Sequence, residues 1–424
     1  MVHACGVDFG TSNSTVGVMR GAAAHLLPLE QDKQTLPSAV FFNADEDQVS
    51  YGRAALAGYL SGDEGRLMRS MKSLLGTPLI EGQTEVQGRA LPFRALLSQF
   101  IHELRQRAER ASGQSLTHAV FGRPVHFIDD DSKADRLAQD TLADIARAAG
   151  FQEVLFQFEP IAAALDYEAG ITKEELVLVA DIGGGTSDFS LIRLSPEAAK
   201  HEDRSQDILA NAGVHLGGTD FDKTLSLAHL MPMLGYGGQL ANGNAIPSAY
   251  YFNLATWHTI NLAYTQKVWR ELQDVARDLA AGPDKQAFAR LLQLVEYRDG
   301  HWLAIQAEHS KIALSEQENL QLALDRLKLP QETSAPSLNL NREGFDLSTL
   351  TLCNQIAAAV GTVIQQAGVR PEQVDTVYFT GGASGVHGLR RHIHALVPQA
   401  RAVEGDLFGS IGAGLARQAQ QHFG

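Results

Sequence analysis

Residues 7–18 read VDFGTSNSTVGV and residues 180–192 read ADIGGGTSDFSLI, and the likeness of these two stretches decides the fold. Each has an apolar residue, an aspartate (Asp8 or Asp181), another apolar residue, a glycine, a Gly/Thr/Ser turn and then an alternating strand. Both read as a strand, a tight phosphate-sized turn and a returning strand. Two such units about 170 residues apart predict a duplicated domain with one ligand held between its halves.

Outward from the hairpins, helix and strand patterns alternate. Residues 95–112 place Leu96, Leu97, Phe100, Ile101 and Leu104 at helical spacing, 118–121 read as a strand, and 135–150 as a helix ending on glycine. Residues 154–158 and 176–180 are strand candidates. Residues 347–368 read as one long helix, followed by a strand at 374–380, a Gly-Gly turn and a helix at about 388–397. This alternation predicts an α/β protein with a mostly parallel sheet covered by helices. Between 222 and 307 the pattern is less regular, with a helical pair (266–281 and 285–297) joined at Gly282-Pro283, and it reads as an inserted subdomain. Residues 330–342 read as a polar connection.

Composition limits the partners. The chain has 424 residues, is 44% hydrophobic and carries 39 glycines, which suits a large α/β core with many tight turns. Its formal net charge of −14 disfavours nucleic acid and anionic membrane as partners. Cys5 and Cys353 are its only cysteines, so no disulfide framework is expected and a reducing cytoplasm is the natural setting. No basic region followed by an apolar stretch opens the sequence, and no apolar run reaches the roughly 18 residues of a span, so a soluble protein is expected.

The chemistry lies in the turns. Gly10, Thr11, Ser12 and Asn13 can aim backbone N–H groups and hydroxyls at a phosphate. Gly183, Gly184, Gly185 and Thr186 are the stronger signal, because three consecutive glycines cost folding entropy that a structural hairpin need not spend. Each turn follows an aspartate, which places Asp8 and Asp181 where a hydrated magnesium ion would sit. No GxxxxGK[ST] motif exists, and Asp8-Phe9-Gly10 stands too early for a kinase DFG.

With Gly217-Gly218-Thr219-Asp220-Phe221-Asp222 and Thr380-Gly381-Gly382 following in order, the chain resembles the ATPase domain of Hsp70 chaperones, within the actin-like ATPase superfamily. The resemblance runs from Cys5 to about Ala416. It implies an actin-like ATPase fold: two lobes, each with a duplicated ribonuclease-H-like mixed sheet plus inserted subdomains. The implied boundaries are 1–172 for lobe I (insert about 39–114), 173–405 for lobe II (insert about 223–307), and 406–424 for a helix returning to lobe I.

It also implies ATP or ADP with Mg2+ as ligand. Asp8 and Asp181 match the carboxylates around the metal shell, with Glu159 of Glu159-Pro160 close by. Lys72 matches the lysine that positions the attacking water and γ-phosphate, and Thr186 lies in the second phosphate loop. Gly217, Gly218, Gly381, Gly382 and Ala383 line the nucleotide, while Glu308, Lys311 and Ser315 contact ribose and adenine. Asp181, Asp188 and Glu159 are candidates for a weak general base, so hydrolysis is expected to be slow and to drive lobe closure.

Two departures stand out. The arginine that stacks on adenine is replaced by Gly385, and Ile312 stands where a basic residue is usual, so looser adenine recognition is expected. The residues after Gly409 resemble the second connecting segment, and no peptide-binding domain is expected beyond them. The form is similar to short bacterial Hsp70-like proteins of the YegD type, with a chaperone-like or regulatory role and an unknown protein client or co-chaperone. A sugar-type kinase of the same superfamily, a nucleotide-gated filament, and binding without turnover stay open as alternatives. Tyr250, Tyr251, Phe252, Trp257 and Tyr264 are expected to pack their own subdomain or to offer a partner surface. His392 and His394 read as surface residues, and Asp129-Asp130-Asp131 as a helix N-cap region.

Overall fold

The computed structural model describes residues 3–200 and 206–424. The chain forms two compact units: Met1–Gly218 with Asn354–Ser384 and Leu389–Gly424, and Thr219–Cys353 with Gly385–Gly388.

The first unit holds two sheets built to one plan. In the first, the strands run Glu153–Phe158, His118–Arg123, Ala4–Phe9, Asn13–Arg20, Ala23–Leu26, and Leu36–Pro37 also pairs with Asn13–Arg20. In the second, the order is Arg401–Glu404, Thr376–Thr380, Glu175–Ile182, Ser187–Leu194, Ile208–Val214. In each, the central strand pairs antiparallel with its hairpin partner on one side and parallel with a later strand on the other. The fold is the duplicated α/β plan that the two motifs predict, but the sheets are mixed rather than mostly parallel, because each hairpin's returning strand pairs antiparallel on both its sides. Each last parallel strand feeds a helix, Glu159–Glu168 in one copy and Ser410–Phe423 in the other. These two helices pack closely: a Cβ on Gly414 would collide with the Ala162 carbonyl.

The core explains the helices. Phe93–Ser112 buries Leu96, Leu97, Phe100, Ile101 and Leu104 on one stripe against Val7 and Phe9 of the first sheet. Each such side chain contributes about 1.5–3 kcal/mol of burial. Ser132–Ala148 starts on Asp131, whose carboxylate accepts the N–H groups of Lys133 and Ala134. Asp129 instead accepts the His215 N–H, so the acidic run is structural. An inserted three-stranded sheet (Gln48–Tyr51, Ala39–Asn43, Gly65–Arg69) leads into the segment that carries Lys72.

The second unit is mainly helical. Gln266–Arg277 and Pro283–Glu296 form the anticipated pair, and Gly300–Glu316 is buried along much of its length. Tyr250, Tyr251 and Trp257 are buried, so most of the aromatic stretch packs its own unit.

Two further expectations need correction. Residues 330–342 are not merely a connection, because Ser337–Asn341 is a strand paired antiparallel with Asn319–Ala323. Its apolar residues, Leu338 and Leu340, alternate with polar ones, a period-2 signal that is easily missed over five residues. The helix at 347–368 is two helices, Arg342–Ser348 and Leu350–Ala367, bent by 65°. At the break, the Thr349 hydroxyl and N–H both donate to the Phe345 carbonyl. Among the described residues no single helix is long and apolar enough to cross a membrane.

Candidate functional site

The first turn is shaped by its neighbours rather than by its own residues alone. Ser38 donates its hydroxyl to the Gly10 carbonyl at 2.7 Å, lies 3.0 Å from the Ser14 hydroxyl, and donates its N–H to the Ser12 carbonyl. The turn is therefore held from behind, leaving Thr11 and Ser12 on its other side. The second turn closes through Gly183 N–H to the Thr186 carbonyl at 2.9 Å, and Gly218 N–H donates to the Gly183 carbonyl at 2.9 Å. Gly217 lies directly behind it: a Cβ there would stand 2.7 Å from the Thr186 nitrogen and 2.8 Å from the Gly183 carbonyl oxygen.

The two turns meet. A Cβ on Gly184 would run into the Ser12 hydroxyl, and one on Gly185 would stand 2.8 Å from Thr11 Oγ1 and 3.4 Å from Ser73 Oγ. Side chains of the first turn thus occupy the space that glycine leaves in the second, and backbone N–H groups and hydroxyls gather in one place. Such a concavity suits an anion.

Beneath the turns sits a cluster of charge. Lys72 lies in the 3₁₀ turn Met71–Leu74, entered through Ser70 in the left-handed region (φ 55°). Its ammonium is buried and donates to Glu159 Oε1 at 2.5 Å. Glu159 opens its helix and has room because the facing residue is Gly122, where a Cβ would stand 3.1 Å from Glu159 Cγ. Burial by itself would lower the Lys72 pKa, but Glu159 and Asp8 outweigh it and hold the ammonium charged.

The carboxyls show the opposite strain. Asp8 is pushed up to about 7 by burial and by Glu159, against the pull of Lys72. Asp188 is likewise pushed up to about 7 by burial and Glu159, although the Thr186 hydroxyl and Val125 N–H favour its charged form. Asp181 is raised well above the usual carboxylate range by burial, Glu159 and Asp188. Four acids share one lysine, so the cluster favours a further cation.

Asp188 Oδ1 accepts the Val125 N–H at 2.6 Å, but its Oδ2 has no hydrogen-bond partner, nor has Asp181 Oδ1. Orphan buried carboxylate oxygens suit a hard divalent cation. Among the described residues no group of three or more His, Cys, Asp or Glu is arranged to hold a metal ion alone. A cation here would be one that keeps much of its water, as magnesium does, and the residues present fit it.

A third turn joins the site. Gly381 has φ +81°, and a Cβ there would stand 2.6 Å from Asp181 Oδ1. The Ala383 N–H donates to the Ile182 carbonyl at 2.9 Å, which pins this turn to the end of the strand that bears Asp181. The structure thus brings Asp8, Gly10, Thr11, Ser12, Lys72, Glu159, Asp181, Gly183, Gly184, Gly185, Thr186, Gly217 and Gly381 into linked positions within the first unit, and Gly382 and Ala383 continue the third turn. Asn13 begins the returning strand and pairs with Pro37.

Glu308, Lys311 and Ser315 lie on Gly300–Glu316 in the second unit. There Lys311 is buried and 2.8 Å from Asp222 Oδ1, and the Ser315 hydroxyl donates to the Lys311 carbonyl. Gly385 belongs to the same unit, with room for a Cβ 3.6 Å from Ser315.

Sequence reasoning missed Ser38, Gly122 and Ser73. Ser38 and Gly122 sit in no motif, Ser73 follows Lys72 in its segment, and each matters only through a contact distant in sequence.

The Hsp70 protein family model matches residues 4–95, 78–234 and 297–421. The chaperone protein DnaK of Mycoplasmoides gallisepticum is 26% identical over 417 residues, covering 96% of this chain and 58% of that protein. The chaperone protein dnaK of Cyanophora paradoxa is 26% identical over 437 residues, with 96% and 59% covered. The chaperone protein HscA homolog of Pseudomonas paraeruginosa is 33% identical over 245 residues, with 53% and 36% covered. The chain thus spans under two thirds of the length of each of these relatives.

Proposed function

The chain belongs to the Hsp70 family, and we propose that it binds ATP with magnesium at the paired turns and hydrolyses it slowly, in a chaperone-like or regulatory role. The observation that carries this reading is the glycine turn at 183–185 packed on Thr11 and Ser12, above the buried Lys72–Glu159 pair. That arrangement offers neutral donors and one fixed cation to a polyphosphate, on a protein whose net charge of −14 would otherwise repel it.

In this mechanism the N–H groups of Gly185 and Thr186 and the hydroxyls of Thr11 and Ser12 donate to the phosphate oxygens. Asp8 and Asp181, the latter with an orphan oxygen, would hold the hydrated cation, which would neutralise the charge of the phosphates. Glu159 fixes the Lys72 ammonium, and Lys72 orients the attacking water and the γ-phosphoryl oxygen. Asp188, anchored by Val125 and adjacent to Thr186, is placed to accept the proton of that water. Each acid is shared with a neighbour and none is held as a dedicated base, which suits a slow timer.

We assign the lobes to residues 1–172 and 173–405, with 406–424 returning, and take the crossing of Gly414 on Ala162 as the pivot of closure on ATP and reopening on ADP. Glu308, Lys311 and Ser315 are proposed to contact the nucleoside on the resemblance alone. A protein client or co-chaperone and a cytoplasmic setting complete the reading. The printed names of the relatives as chaperones support the role.

A single-turnover ATPase assay tests it. Wild type is expected to hydrolyse Mg·ATP slowly, and Lys72→Ala and Thr186→Ala to lose most of that rate. No hydrolysis in wild type, or none lost in the variants, overturns the mechanism.

A further inference from the structure

Phe408 lies on the Gly381–Gly382 turn and has no part in the site as described so far. A Cβ on Gly382 would stand 2.8 Å from its ring atom Cε1 and 3.3 Å from Cζ, so the ring covers bare backbone. It is still 44% exposed, which leaves part of the ring open to solvent. Its mount is rigid. The Phe408 N–H donates to Asp406 Oδ1 at 3.2 Å, Gly409 N–H to the Asp406 carbonyl at 3.2 Å, and Gly405 N–H to the Phe379 carbonyl at 2.9 Å.

The place of this ring relative to the phosphate side gives it a use. A Cβ on Gly381 would stand 2.6 Å from the orphan Asp181 Oδ1, Gly382 is the next residue, and the ring sits on Gly382. Two such residues span at most about 7 Å, a step comparable with the ribose that separates phosphate from base. The cation beside the turn is already occupied. Arg390 lies 4.9 Å over the Phe379 ring and donates to the Ser384 carbonyl and to Glu404. Residue 385, where the family resemblance puts a base-stacking arginine, is a glycine with no side chain to offer.

We propose that Phe408 is the platform on which the purine base of the nucleotide stacks, an aromatic face taking the place of the absent arginine. The inference rests on the ATP reading of the paired turns. Stacking of a base on an aromatic side chain is a large enough effect to measure, since its removal weakens binding by roughly tenfold or more.

Calorimetric titration of the full chain with Mg·ATP and with Mg·tripolyphosphate separates base from phosphate. Phe408→Ala is expected to weaken ATP by about tenfold and to leave tripolyphosphate within about twofold of wild type, while Phe408→Tyr keeps both. Phe408→Trp is expected to add an indole fluorescence change on ATP that tripolyphosphate does not produce. Equal loss of both ligands in Phe408→Ala would make the ring a support of the turn and overturn the proposal, as would unchanged ATP affinity. A wild-type chain that binds neither ligand would defeat the ATP reading itself and this proposal with it.

Discussion

Asp8 is paired with Thr15 across the first hairpin, and at the matching register Asp181 is paired with Asp188 across the second. Each aspartate is followed by six residues before its partner, so the two hairpins have the same length and backbone plan. Both turns open on glycine, and their contents differ after it. The first presents Gly10, Thr11 and Ser12 where the second presents three glycines, and it puts a threonine where the second puts a carboxylate. The contacts explain the difference. Hydroxyls of one copy fill the volume that missing Cβ atoms leave in the other, and a second pair of acids there would add repulsion to a cluster with a single lysine. Duplication supplied the frame, and divergence made the copies complementary.

The largest way to break this comparison is to fill the glycine side. Gly184→Val puts branched carbon on Ser12 and is expected to weaken Mg·ATP binding at least about a hundredfold by calorimetry, because clashing backbone cannot approach a ligand. Ser12→Gly in the same chain should recover part of that loss, and recovery of none would show that the turns are not complementary in the way described.

The next effect is on stability. Lys72→Met leaves Glu159 buried without its cation and is expected to cost about 3–5 kcal/mol in urea unfolding of the nucleotide-free protein. Adding Glu159→Gln should restore much of the stability without restoring turnover. Restored turnover would reduce the pair to a structural feature.

A smaller effect sharpens the threonine–aspartate contrast. Asp188→Asn is expected to slow single-turnover hydrolysis by about 10–100-fold. Thr15→Ala, at the equivalent register, should change it less than about threefold, since the Thr15 hydroxyl has no partner and lies under Gly412. Equal effects at the two positions would mean that the copies had not divided the work.

The legible part of the protein was local. Strand, turn and return strand at 7–18 and 180–192 follow from alternation and glycine, and these depend only on residues close in sequence. The alternating helices and strands of the sheets were legible for the same reason. The short strand Ser337–Asn341 and the break at Thr349 were not, because five residues carry little periodicity and one hydroxyl can turn a helix.

The sequence by itself determined that two phosphate-type turns exist, that each is preceded by an aspartate, and that the duplicated α/β frame must carry them. It also placed Lys72 and Glu159 in recognisable motifs. Only the tertiary structure decided that Lys72 is buried on Glu159, that Ser38 ties the first turn from behind, that Thr11 and Ser12 lodge against Gly184 and Gly185, and that Phe408 rests on Gly382. The physical reason is the same in each case. Chain-local propensity sets the turn, but desolvation, charge pairing and steric fit act between residues from 26 to 174 positions apart, and folding alone brings those together.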